Sequence, residues 1–131
     1  MRRLLSECGL PTLYVHRHLK SFIVAKAAKK IVGVIGLEGY GRVGLLRSLC
    51  VDQAYRGQGI AMMLNAKILG YAQMRGIERL YMFTLDAEKF ASKLGFHKIA
   101  KNRIPKSIRS TWQFRSLNSY PFVCMMKKIS L

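Results

Sequence analysis

The most constraining feature of this sequence is the stretch 45–76, which predicts a strand, a tight loop and a helix in direct succession. Leu45–Val51 is an apolar run of strand length, and Asp52–Gly59 is a short polar turn that contains Gly57 and Gly59. From residue 60 to residue 75 apolar side chains recur at helical spacing. Gly76 then stands where a left-handed C-terminal stop of a helix is expected.

The residues of the loop suit the binding of an anion. Gly57 and Gly59 have no side chains, so a ligand can approach the main chain closely. The first N–H groups of the helix have no intrahelical partner, the helix dipole adds positive potential, and Arg56 adds a formal charge. Each charge-assisted hydrogen bond to a phosphate oxygen contributes about 1.5–3 kcal/mol. The loop therefore predicts a ligand with a phosphate or pyrophosphate group.

Two common phosphate-binding patterns do not fit this loop. A P-loop requires Gly-Lys-Ser/Thr after its last glycine, whereas this sequence has Gly59-Ile60-Ala61. A dinucleotide-binding fingerprint requires a third small residue three positions after Gly59 and an acid at the end of the next strand, where the sequence has Met62 and Thr84.

A third pattern fits. The loop resembles the Arg/Gln-x-x-Gly-x-Gly/Ala signature of the GCN5-related N-acetyltransferase (GNAT) superfamily, and Phe90–Phe96 resembles a later segment of the same family, in the right order and separation. The resemblance implies transfer of an acetyl group from acetyl-coenzyme A to a primary amine of a small molecule. It also implies that the loop holds the cofactor pyrophosphate through Arg56, Gly57, Gln58, Gly59, Ile60 and Ala61.

The same resemblance implies further cofactor contacts. In this family the strand ahead of the loop splays from its neighbour, and its freed backbone groups bind the pantetheine arm. By position this role falls on Leu49, Cys50 and Val51, and the N–H of Leu49 is the catalytic candidate for polarising the thioester carbonyl. Thr84 stands where many members have an asparagine that contacts the cofactor; a capping role is the alternative. Asp86 is expected to cap the helix that follows.

Two residues decide how the chemistry is interpreted. Glu38 is the one acid at the end of an apolar run and is the candidate catalytic base; a salt bridge to Arg47 across the hairpin is the alternative. Ala91 stands where many family members carry a tyrosine that acts as general acid. Tyr81, Tyr120 or solvent would then supply the proton, or the protein binds acetyl-coenzyme A without catalysis.

A narrower resemblance covers most of the chain. Segments 36–41, 44–49 and 104–114 are similar to the GNAT branch that is associated with arsenic-resistance genes. This resemblance implies an amino-acid-like or arsenic-containing acceptor, whose acidic group Arg47, Arg103 or Arg109 would hold bidentately.

The order of predicted elements favours a single α/β (α+β) domain over residues 1–131. The strands Ser21–Ala27 and Lys30–Glu38 form a hairpin, and a mixed, mostly antiparallel sheet with flanking helices follows. The family fold opens with a further strand, but this chain begins in what corresponds to the first helix, so either that strand is missing or the start was trimmed. An exposed sheet edge would favour a homodimer.

Composition limits the partners and the location. The formal charge of +17 attracts polyanions, so a basic nucleic-acid-binding module is a second interpretation, although aromatic residues are not interleaved with basic ones as stacking platforms would be. Three cysteines without metal-ligand spacing predict neither a zinc site nor a disulfide framework. With no membrane-spanning run and no signal peptide, a cytoplasmic location without membrane partners is expected.

Overall fold

The computed structural model of this chain describes residues 22–117 and 120–129. Predictions for residues 1–21, including that of a missing first strand, lie outside the described residues. Within the described ranges, no helix combines the length and the apolar composition that crossing a membrane requires. The strands are β1 Phe22–Ala27, β2 Lys30–Tyr40, β3 Val43–Val51, β4 Arg79–Thr84, β5 His97–Ile99 and β6 Val123–Lys128. The helices are α1 Ile60–Met74, α2 Glu88–Lys93, α3 Lys106–Arg109 and α4 Trp112–Leu117, with 3₁₀ turns at Gln53–Tyr55 and Lys101–Arg103.

Among the residues that the structure describes, the strands follow the order β1-β2-β3-β4-β6-β5 in one sheet. The pairs β1–β2, β4–β6 and β5–β6 are antiparallel, whereas β3 and β4 are parallel. This confirms the predicted mixed, mostly antiparallel sheet. The parallel ladder runs from the pair Val43–Arg79 to the pair Leu45–Tyr81, and β3 then continues to Val51.

Contacts divide the described residues into two compact units. The first contains residues 22–38 and Leu46–Tyr71, and the second contains Gly39–Leu45, 72–117 and 120–129. In the first unit, helix α1 packs on β2 at Gly33. A Cβ atom at Gly33 would lie 2.9 Å from Ile60 Cγ2 and 3.0 Å from Leu64 Cδ1. The absence of a side chain at this position therefore sets how closely the helix approaches the strand.

The core of the second unit is built around three phenylalanine rings. The Phe83 centroid lies 5.3 Å from that of Phe122 and 5.8 Å from that of Phe114, and Phe114 and Phe122 are 5.7 Å apart. Tilted and edge-to-face pairs of this kind contribute about 0.5–1.5 kcal/mol each beyond the area they bury. The buried members of this aromatic cluster are Val43, Leu45, Tyr81, Phe83, Ile104, Ile108, Phe122 and Cys124.

Two helices end at the glycines that the sequence indicates. Gly76 follows α1 with φ of 80°, and Gly95 follows α2 with φ of 94°. These left-handed conformations are costly for other residues and allow the chain to leave the helix sharply. After Gly95 the chain enters β5 within two residues, and after Gly76 it enters β4 within three.

Candidate functional site

Asp52 fixes the start of the loop between β3 and α1. Its N–H donates to the carbonyl of Val32 at 2.7 Å, and its buried carboxylate accepts the N–H of Ala54 at 3.0 Å. The carboxylate also pairs with Lys30 Nζ at 3.0 Å. The site predicted from the sequence does not include Asp52. Its position just before a helical turn, where aspartate is a preferred residue, is the signal that could have identified it.

Arg56 ties the middle of the loop back to the strand end. Its Nε donates to the carbonyl of Val51 at 2.9 Å, and its side chain is otherwise exposed. A guanidinium group is thereby held beside the glycines that follow.

Gly57 and Gly59 leave the loop backbone bare. Their φ angles are 81° and 80°, and a Cβ atom built on either would meet nothing within 4 Å. A residue other than glycine pays about 1–2 kcal/mol for this left-handed conformation. The glycines thus satisfy a backbone requirement and also leave open space above the main chain.

The start of helix α1 offers unpaired donors. Met63 N–H donates to the carbonyl of Gly59 at 3.0 Å, so the N–H groups of Ile60, Ala61 and Met62 precede the first bond of the helical ladder. The first turn contains no acidic residue that would compete for these donors. Together with the helix dipole and Arg56, they create a positive potential that suits an anion.

Leu49, Cys50 and Val51 are the last residues of β3 and lead directly into this loop. The side chains of Leu49 and Val51 are half-buried, and Cys50 is buried. Cys50 is also disulfide-bonded, which contradicts the prediction that the three cysteines provide no disulfide framework. Any contact of these residues with a ligand would use the main chain, so it is compatible with side chains that serve the core.

Glu38 and Arg47 form a buried ion pair in the first unit. Arg47 Nη1 donates to Glu38 Oε2 at 2.6 Å, and the two residues are 6% and 8% exposed. The salt bridge considered from the sequence is therefore present. It fixes the orientation of the Glu38 carboxylate, and breaking such a pair by removing one partner typically costs about 3–5 kcal/mol.

Thr84 ends β4 in the second unit and fixes the turn that leads into α2. Its Oγ1 accepts the N–H of Ala87 at 2.8 Å and that of Asp86 at 3.3 Å. The helix N-cap is Ala87, whose side chain makes no capping bond, so the prediction that Asp86 caps this helix is wrong. Thr84 rather than Asp86 makes the side-chain hydrogen bonds here, because its hydroxyl reaches the N–H groups two and three residues ahead. Such a turn is common for threonine.

The residues considered as proton donors differ in their surroundings. Ala91 lies on α2 with 0% exposure, so no hydroxyl comes from that position and a tyrosine there would have to enter the core. Tyr81 belongs to the aromatic cluster, and Tyr120 is exposed. Within the described ranges, no group of three or more His, Cys, Asp or Glu side chains is arranged to hold a metal ion.

Comparison with known proteins identifies the family. Residues 18–98 match the model of the acetyltransferase (GNAT) domain. The chain therefore belongs to the GNAT acetyltransferase family, and its mixed α/β sheet with flanking helices is the fold of that family.

Three known proteins show how far the similarity extends. An uncharacterised N-acetyltransferase of Chlorobaculum tepidum is 26% identical over 92 residues, which cover 70% of this chain and 59% of that protein. The N-acetylaspartate synthetase of Xenopus tropicalis is 31% identical over 106 residues, which cover 71% of this chain and 39% of that protein. This chain thus spans less than two thirds of the length of either relative.

The third is a solved structure. N-acetylglutamate synthase from Neisseria gonorrhoeae, complexed with coenzyme A and N-acetyl-glutamate, matches with a TM-score of 0.86 at 21% identity. The match covers 98% of this chain and 31% of that protein. A likeness at this level of identity shows the shared fold.

Proposed function

We propose that this chain is an N-acetyltransferase that moves the acetyl group of acetyl-coenzyme A to the primary amine of a small, amino-acid-like molecule. The observation that carries the proposal is the bare loop at Gly57 and Gly59, both left-handed, which leads into a helix start with unpaired N–H donors. Family membership supplies the reaction class, and the pyrophosphate of the cofactor is an anion of the kind such a loop accepts.

The proposed cofactor contacts use mainly the backbone. The pyrophosphate would take hydrogen bonds from the loop and helix start, at Arg56, Gly57, Gln58, Gly59, Ile60 and Ala61. The pantetheine arm would lie along the main chain of Leu49, Cys50 and Val51. Thr84 is a further proposed contact, because a hydroxyl that accepts two N–H groups still has its own hydrogen to donate.

The proposed chemistry needs little covalent apparatus from the protein. The N–H of Leu49 would polarise the thioester carbonyl, where negative charge develops in the transition state. Glu38, held by Arg47, would accept the proton of the attacking amine through water. As the new C–N bond forms, the C–S bond breaks and coenzyme A leaves as a thiolate. With Ala91 in place of a tyrosine, solvent would protonate that thiolate.

The proposed acceptor is an amino acid or a close analogue. N-acetylaspartate synthetase and N-acetylglutamate synthase, named above, are the relatives that favour this class. An arsenic-containing amino-acid analogue is the finer proposal, supported by the resemblance to the arsenic-associated branch. A panel of acidic, neutral and arsenic-containing amino acids, with release of the coenzyme A thiol as the readout, would rank them.

The binding step has a closely matched test within one helix. Gly59 precedes α1 and Gly76 follows it; both have φ of 80°, and neither would place a Cβ within 4 Å of another atom. Gly59→Ala and Gly76→Ala therefore carry similar backbone strain. Calorimetric titration with acetyl-coenzyme A should show a loss of affinity of about tenfold or more for Gly59→Ala alone, the equivalent of one charge-assisted hydrogen bond.

The outcomes separate the alternatives. Equal affinity of the two variants would refute the placement of the pyrophosphate on this loop. Tight binding without turnover on any amine would favour the second candidate function, a non-catalytic acetyl-coenzyme A-binding protein, for which Ala91 is the specific observation.

We also propose that the chain acts in the cytoplasm as one domain over residues 1–131 that pairs as a homodimer. Sedimentation at micromolar concentration tests the assembly, and a monomer would refute it.

A further inference from the structure

The last third of the chain carries a charge imbalance that acetyl transfer does not explain. The stretch Lys89–Leu131 contains no aspartate or glutamate, and Glu88 is the last acidic residue of the chain. In the part of the chain that the structure describes, the ion pairs are Lys30–Asp52, Arg42–Glu78 and Glu38–Arg47, so none neutralises a basic residue of this stretch.

The segment between β5 and β6 buries its apolar residues and exposes its basic ones. Its apolar residues point inward: Ile104 and Ile108 are buried in the aromatic cluster, and Phe114 packs against it. Its basic residues are exposed, and the Lys101 ammonium lies 4.3 Å from the Phe122 ring centroid, directly over that cluster. We call the exposed set the basic face: Lys101, Arg103, Lys106, Arg109 and Arg115.

An exposed indole lies among the arginines of the basic face. Trp112 is 40% exposed and begins α4, three residues after Arg109 and three before Arg115. The turn before it is fixed by Thr111, whose hydroxyl donates to the carbonyl of Ile108 at 2.7 Å and accepts the N–H of Phe114 at 3.2 Å. The helix that begins with this aromatic residue therefore has a capped start.

We infer that the basic face docks single-stranded nucleic acid, independently of acetyl transfer. Charge complementarity selects a polyanion, since there is no acidic side chain in the stretch to neutralise the cations. Among polyanions the indole favours nucleic acid, because bases stack on exposed aromatic rings that lie next to basic residues. Each stacked base increases the affinity by about 5- to 150-fold. A lipid surface fits poorly because Ile108, Phe114 and Leu117 of α3 and α4 pack in the aromatic cluster, which leaves Trp112 as the one large apolar side chain that these two helices expose.

The expected binding depends steeply on salt. If each of the five residues of the basic face contacts one phosphate, log Kd changes with log salt by a slope of about 3.5 for a single strand, and affinity falls about 100-fold between 50 and 200 mM salt. Removing three of those charges lowers the slope to about 1.4. The affinity then falls only about sevenfold between 50 and 200 mM salt.

The test uses the full-length chain and a fluorescein-labelled oligouridine of about 20 nucleotides, longer than the site of one small domain. Fluorescence anisotropy at several salt concentrations compares two variants of equal charge. One replaces Lys106, Arg109 and Arg115 of the basic face by glutamine. The other replaces Lys26, Lys29 and Lys67, which are exposed residues of the first unit. Melting temperatures within about 4 °C of the wild type establish that both variants fold.

The chain also contains its own reporter, because Trp112 is its single tryptophan. Stacking of a base on Trp112 should quench the intrinsic fluorescence of the wild type when unlabelled oligouridine is added. Polyglutamate, a polyanion without bases, should not quench it. This readout requires no variant and remains valid if a triple substitution prevents folding.

Each outcome is informative. A reduced salt slope for the basic-face variant, an unchanged slope for the control variant and selective quenching would support the inference. Equal weakening of both variants would overturn it in favour of a general effect of net charge. Absence of binding near 100 mM salt would overturn it outright. Equal binding of polyglutamate without quenching would replace nucleic acid by an acidic protein as the partner.

Discussion

The substitution Asp52→Ala tests whether the loop between β3 and α1 depends on a single carboxylate. The substitution removes at least two contacts of that carboxylate: the N–H of Ala54 and the ammonium of Lys30, each at 3.0 Å. The bond from the Asp52 N–H to Val32 belongs to the backbone and remains. The expected result is a less stable protein with a loosened entry to the loop.

The magnitude follows from the two contacts. Loss of an acceptor that caps a helical turn costs about 0.5–2 kcal/mol. The Lys30 side chain is 45% exposed, so solvent screens the ion pair and it adds no more than about 1 kcal/mol. Together the two terms amount to about 0.5–3 kcal/mol. With an unfolding entropy of about 2.1 cal/mol/K per residue over 131 residues, this loss lowers the melting temperature by about 2–11 °C.

Two further variants separate the contacts. Asp52→Asn keeps an oxygen that can accept the N–H of Ala54 but loses the charge, and Lys30→Met removes the ammonium alone. Each should cost less than about 1 kcal/mol in urea unfolding, and acetyl-coenzyme A affinity should fall more for Asp52→Ala than for either. If Lys30→Met destabilises the protein as much as Asp52→Ala does, the carboxylate acts through its charge and the capping argument is refuted.

Three other perturbations have defined outcomes. Burial raises the pKa of Cys124 from 9.0 to about 12, so the thiol of the unfolded chain loses its proton at lower pH than that of the folded chain. The free energy of unfolding should therefore fall from pH 9 upward, by as much as about 1.4 kcal/mol per pH unit. Urea unfolding of Cys124→Ala should lack that part of the decline. Gly33→Ala brings a Cβ within 2.9 Å of a side chain of α1 and should lower the free energy of unfolding by about 1–3 kcal/mol. Gly70→Ala, inside α1 with nothing within 4 Å of the new Cβ, should raise it by about 0.5–1 kcal/mol. The denaturant midpoints of the two variants measure the difference. Arg47→Met removes the 2.6 Å ion pair of the buried Glu38 carboxylate and should cost about 3–5 kcal/mol in the same assay. A smaller loss in a variant that replaces both residues by apolar ones would attribute the cost to the buried carboxylate that has lost its pair with Arg47.

Local patterns in the sequence predict most of the described fold. The hairpin of β1 and β2, the strand–loop–helix stretch and the glycine stops after α1 and α2 each depend on residues close together in the chain. Strand ends are less well predicted. β3 begins at Val43 rather than Leu45. In the sequence Gly44 indicates a turn, but in the structure it pairs with Leu80 in the parallel ladder and so belongs to the strand.

The parts of the site that sequence does not predict depend on distant partners. The choice between a base and an ion pair for Glu38 needs the distance to Arg47, nine residues away, which only the fold provides. Lys30 and Asp52 come from different strand ends, and nothing local indicates that they meet. The disulfide bond of Cys50 is a further feature that the spacing of the cysteines did not indicate.

In the proposed mechanism, binding and turnover depend on different parts of this chain, which is why they must be measured separately. The proposed cofactor contacts are mainly N–H groups, and the required residues are glycines at φ of 81° and 80°, so substitutions of most side chains leave them intact. The proton transfers instead require particular side chains, and here one is engaged with Arg47 and another is replaced by Ala91. A family member can therefore keep its cofactor loop while its chemistry slows or disappears. If the proposed roles hold, an acetyl-coenzyme A affinity reports on the loop, and only a rate with a defined amine reports on Glu38.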